Sequence, residues 1–92
     1  MTHKTIRGTI SYYSHKPERM GEERGREYFM LTQQADGNDV LLAHCEIDDE
    51  PNVIRDVALA MRNSDSSPID CSVRLTVGNK FDGSGWIRFG DQ

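Results

Sequence analysis

His44, Cys45 and Glu46 stand side by side, bringing a base, a thiol and a carboxylate together in the chain. The surrounding text alternates apolar and polar residues, which is the pattern of a strand, and neighbours on a strand point to opposite faces. His44 and Glu46 therefore share a surface that Cys45 cannot join, and a Cys–His nucleophilic pair is geometrically poor. The dipeptide Arg55-Asp56 interrupts the apolar segment Val53–Arg62. On a strand with one dry face, one of these charges points to the dry side and needs a partner or a ligand. Arg55 is in phase with Val53, Val57 and Leu59, so it is the charge in question. Two readings stay open for it: an ion pair with Asp70 or Glu46, or a contact with a bound molecule.

The other chemistry-bearing groups have plainer readings. Asp48-Asp49-Glu50 supplies oxygen ligands of the kind hard cations want, but the spacing matches no calcium loop and reads as an acidic turn before Pro51. Cys45 and Cys71 lie 26 positions apart, and His3, His15 and His44 are isolated, so no zinc-ligand spacing occurs. Gly83-Ser84-Gly85-Trp86 lacks the five-residue pattern and following helix of a hydrolase elbow. Its glycines suit a bulge or a close backbone crossing, and Trp86 either packs in a core or lines a pocket. No catalytic residue, metal ligand or cofactor is assigned from these features.

The elements that must position these residues are strands. Thr5–Tyr13 alternates, with Ile6, Gly8, Ile10 and Tyr12 on one side. A polar loop with Pro17, Gly21 and Gly25 follows, and a second strand is expected over about Arg26–Gln34. Ala35-Asp36-Gly37-Asn38 reads as a hairpin turn, because Asp-Gly accepts the positive φ angles of tight hairpins. The returning strand, Asp39–Ile47, sets Leu41, Ala43, Cys45 and Ile47 against Val40, Leu42, His44 and Glu46. Val53–Arg62 fits either a helix or a strand; strand is expected, partly on the resemblance given below. Residues 63–68 form a loop. Cys71, Val73, Leu75 and Val77 then alternate with Ser72, Arg74 and Thr76, where cross-strand pairing explains Arg74. A partner strand follows Gly78-Asn79, and the last strand is expected over Gly85–Phe89.

Composition bounds the rest. Ninety-two residues make a single domain, 1–92, with a small core for its surface. With 36% apolar and 28% charged residues the chain is globular, and its net charge of −4 argues against nucleic acid as the main partner. No stretch approaches the roughly 20 apolar residues of a membrane span, and the N-terminus lacks a signal peptide's apolar region, so a cytoplasmic location is expected. There, two cysteines on apolar strand faces behave as buried hydrophobes. A small β domain with exposed edges is also expected to associate, most simply as a homodimer.

In order, the Asp-Gly hairpin, Ala-His-Cys-Glu-Ile-Asp, Arg-Asp-Val, Pro-Ile-Asp-Cys-Ser-Val-Arg-Leu-Thr-Val and Phe-Asp-Gly-Ser-Gly-Trp-Ile-Arg-Phe span about Arg26–Phe89. This arrangement resembles a group of bacterial proteins with lipocalin-like or β-roll domains. Glycolipid-binding-like and carotenoid-hydratase-like proteins are its more distant relatives. The resemblance implies a curved antiparallel sheet around an apolar ligand or helix. This chain stops soon after the Trp-bearing strand, which makes a closed barrel doubtful and a half-roll completed by a second copy plausible.

The expectation is thus a mainly β protein, a single curved antiparallel sheet (half-barrel or β-roll) of five to seven strands with little helix. Its expected role is binding a lipid-like or hydrophobic small molecule, with Tyr28, Met30, Leu75 and Trp86 giving contact area. Arg55 and His44 would fix a polar head, and Asp56 is counted in the same ligand site. The alternatives are a homo-oligomeric assembly module and, third, an acid–base enzyme on an apolar substrate. The enzyme requires His44, Arg55 and Asp56 to converge on one cavity.

Overall fold

The computed structural model describes residues 2–90. Six strands, β1 (Lys4–Tyr13), β2 (Glu23–Gln33), β3 (Asn38–Ile47), β4 (Val53–Arg62), β5 (Pro68–Val77) and β6 (Lys80–Arg88), form one antiparallel sheet in sequence order. The only helical element among the described residues is a single 3-10 turn, Pro17–Arg19. The ambiguous segment Val53–Arg62 is a strand: its apolar residues find partners on both sides, on β3 and β5, and this tertiary pairing outweighs the helical leaning of its alanines and methionine. Three expected boundaries move most. β2 begins at Glu23 rather than Arg26, and β5 begins at Pro68, at the end of the expected 63–68 loop. The chain after Gly78-Asn79 runs as one strand, with a bulge, in place of a separate strand over Gly85–Phe89.

Turn chemistry sets the meander. Between β2 and β3, Gly37 takes a φ of 90° and the Asp36 carboxylate accepts from the Asn38 amide at 3.0 Å, closing the Asp-Gly hairpin. Between β4 and β5, Asp65 accepts from the Ser67 amide (2.9 Å) and hydroxyl (2.6 Å), which holds its carboxyl below the usual range.

Each strand touches only its sequence neighbours, so the sheet is a single open layer, not a closed barrel. The registers assemble its side chains into rows running across all six strands. On one face, Arg7, Met30, Leu42, Ala58, Ser72 and Trp86 form one row and Thr9, Tyr28, His44, Asp56, Arg74 and Ser84 form the next. On the other face, the rows Ile6-Leu31-Leu41-Leu59-Cys71-Ile87 and Gly8-Phe29-Ala43-Val57-Val73-Gly85 are apolar throughout. With one layer, neither face is covered. Cys45, 3% exposed, is the only fully buried hydrophobe among the described residues, while Ile6, Ile10 and Ile87 lie open. Cys45 and Cys71 are both free and share the apolar face; two strands and four residues of register separate them, about 16 Å.

Candidate functional site

The first of these faces carries an open depression of about 1070 Å³. The rows containing Met30 and His44 supply its floor. Tyr28, Met30, Leu42, Ala58 and Trp86 give it apolar surface, and Arg7, His44, Asp56 and Arg74 bring charge. Trp86 stands 62% exposed and Tyr28 is open as well, so large aromatic surface is available without rearrangement.

The charged groups fall into two sets. His44 is held by carboxylates at both ring nitrogens: Nδ1 lies 2.5 Å from Asp56 and Nε2 lies 2.9 Å from Glu46. A ring that donates from both nitrogens is an imidazolium. Hydrogen bonding to Asp56 first, then to Glu46, accordingly raises its pKa above the ordinary 6.5. The Tyr28 ring stacks on it at 6.4 Å between centroids and 25° between planes. Glu46 continues the chain of charge to Arg26, whose guanidinium donates to Glu46 at 2.9 Å and also reaches Asp48 and Glu23. Arg26, then His44, pull the Glu46 carboxyl below its usual range; Arg26 does the same to Asp48. The acidic turn expected at 48–50 is therefore an ion-pair anchor: Asp48 on Arg26 and Asp49 on Arg24.

Arg7 and Arg74 behave differently. Arg7 donates to the Met30 sulfur at 3.4 Å, and Arg74 lies over the Phe81 ring at 4.3 Å. Neither makes an ion pair among the described residues, although Asp56 is the direct cross-strand neighbour of Arg74. Asp56 is engaged by His44 instead.

Of the residues singled out in the sequence, Tyr28, His44, Asp56 and Trp86 come together around the depression. Arg55 does not. It projects from the opposite face, in the row of Glu27, Cys45 and Leu75, so neither Glu46 nor Asp70 pairs with it. Leu75 is on that far face too. With Arg55 elsewhere, His44, Arg55 and Asp56 do not converge on one cavity, as the acid–base reading required. Sequence reasoning missed Arg7, Leu42 and Ala58. The alternation within each strand was legible, but their common row with Met30 depends on strand order and register. Among the described residues no group of three or more His, Cys, Asp or Glu could hold a metal ion, and no helix is long and apolar enough to cross a membrane.

The Arg26 network gives a direct check. Arg26→Gln should move the Glu46 titration upward toward its ordinary value, read by carboxyl ¹³C NMR, because its largest depressing partner is gone. A Glu46 titration unchanged in the variant would show that Arg26 does not hold it.

In comparisons with known proteins, no family model, no curated protein and no solved structure matches the chain.

Proposed function

We propose that the chain is a binding domain for a hydrophobic small molecule with an anionic head, in the manner of lipocalin-like domains. The observation that carries this reading is the depression itself: a wide, largely apolar hollow with charge at defined positions, the composition that ligand sites favour. Trp86, Tyr28, Met30 and Leu42 would cover the apolar body. The head would go to Arg7 or Arg74, because these guanidiniums face the hollow without a carboxylate on them, whereas His44 is already neutralised from both sides. Arg55, on the far face, has no part in this site.

Trp86 is the chain's one tryptophan, so its fluorescence reports on the site directly. Titration with a long-chain fatty acid should blue-shift the emission with a dissociation constant of about 1–10 μM. Arg74→Met combined with Arg7→Met should remove the preference for the acid over the matching fatty alcohol by roughly tenfold, the loss of one charge-assisted contact. No shift in emission up to about 100 μM acid would overturn the proposal.

A further inference from the structure

Between the strand ends, the face opposite the depression is apolar apart from one row, Ile10, Glu27, Cys45, Arg55, Leu75 and Gly83; at one end Lys4, Gln33 and Asp39 form a polar margin. Away from the strand ends, Glu27 and Arg55 are the charges on this face. They flank Cys45, one strand to either side, which puts them about 10 Å apart and out of ion-pair reach of each other. Glu27 accepts only a 3.3 Å hydrogen bond from Tyr12, and Arg55 has no ion pair among the described residues.

We infer that this face is the interface of a two-fold homodimer, a β-sandwich made from two copies of the sheet, with the symmetry axis running along β3. Three observations support a second copy as the occupant. First, the charges are self-complementary about β3. A two-fold axis along that strand, midway between sheets about 10 Å apart, lays β2 of one copy over β4 of the other. Arg55 then meets Glu27 of the partner subunit, and the same contact repeats by symmetry. A two-fold axis across the strands along this row would set each charge against its like, which costs several kcal/mol. Second, the strand left outside the overlap is β6, whose residues on this face include Gly83 and Gly85, with no side chain to bury, so that Ile87 is the one large apolar side chain there that stays outside. Third, the area is right. Five overlapping strands of about ten residues cover roughly 800 Å² per copy, or roughly 1,600 Å² in total, the size of a stable specific interface. The partner copy also supplies what one layer lacks, a second wall over the rows of Leu41 and Val57.

The test is a charge exchange read by sedimentation velocity and sedimentation equilibrium. The wild-type chain at about 10 μM should sediment as a dimer. Arg55→Glu alone and Glu27→Arg alone should each weaken dimerisation by about a hundredfold or more, since each places like charges together twice per dimer. The double variant E27R/R55E should recover most of that loss, which guards against a single variant that merely fails to fold. Trp86, on the opposite face, should remain open to acrylamide quenching in the dimer. A wild-type chain that stays monomeric would overturn the inference. So would single variants with unchanged dimerisation, a double variant no better than the singles, or a dimer that shields Trp86.

Discussion

Replacing Gly25 by alanine should lower the melting temperature by roughly 10 °C, on the scale of 1–3 kcal/mol for overpacking a close contact in a domain of this size. Gly25 is one of the few buried residues, at the point where the β1–β2 register shifts between Tyr12 and Tyr13. A Cβ built there would fall 2.5 Å from the Glu46 carbonyl oxygen and 3.1 Å from the Ile47 side chain. The first of these is backbone in the paired strand, so it cannot swing aside as a flexible side chain would. Relief requires β2 to draw away from β3, which disturbs the anchor of Arg26 on Glu46 and Asp48 one residue further along. Gly85→Ala is the matching control. Nothing lies within 4 Å of a Cβ there, so it should be neutral, or stabilising by about 0.5–1 kcal/mol through the lower chain entropy of alanine. Thermal denaturation followed by circular dichroism at one protein concentration measures both. Equal melting temperatures for the two variants would mean that β2 and β3 do not approach this closely at Gly25.

Stability should also fall on both sides of a mildly acidic optimum, and His44 should account for the upper side. Its folded pKa is raised, by Asp56 and then Glu46, above the 6.5 of an unconstrained histidine. A raised pKa means that the folded state holds its proton more tightly than the unfolded state does. The stabilisation is therefore fully present below about pH 6.5 and is lost as pH rises through the folded value. Glu46 and Asp48 act in the opposite sense. Their folded values lie below the ordinary 4.5 and 3.8, so their contribution is present above those values and fades as pH falls through the lowered ones. The melting temperature should accordingly peak between about pH 4.5 and 6.5. His44→Gln should flatten the decline above the peak and weaken the acid side only in part, because Arg26 remains the larger depressing partner of Glu46 and still holds Asp48. Because the His44 side chain is partly open to solvent, water screening keeps the slope shallow. NMR titration of the His44 ring gives an independent reading. A midpoint at or below 6.5 would contradict the paired geometry.

Much of the fold could be read from alternation. The Asp-Gly hairpin, the strand 71–77 and the parity of Arg55 with Val53, Val57 and Leu59 all reappear in the structure, because side-chain direction along a strand has a fixed period of two. The segment 53–62 could not be decided in that way. Its composition suits helix or strand, and pairing on both sides settles it as β4. Two of the bulges were equally hidden. The register shifts at Tyr12/Tyr13 and Ala60/Met61 come from how neighbouring strands fit, and each changes which residues face one another beyond it. The shift at Leu75/Thr76 instead falls beside Gly83, where the glycines suited a bulge or a close crossing.

The candidate site shows the same division. The sequence by itself determined that His44 and Glu46 share a face, that Cys45 leaves it, and that Arg55 and Asp56 part company; local backbone geometry is enough for each. It did not determine that Asp56 would sit across from His44, that Trp86 would stand in line with Met30 and Leu42, or that Arg55 and Glu27 would flank one cysteine. Those neighbours are 10 or more residues apart in the chain. Which residues meet across a sheet depends on loop lengths, strand order and register, and these are properties of paired strands rather than of any one strand's text.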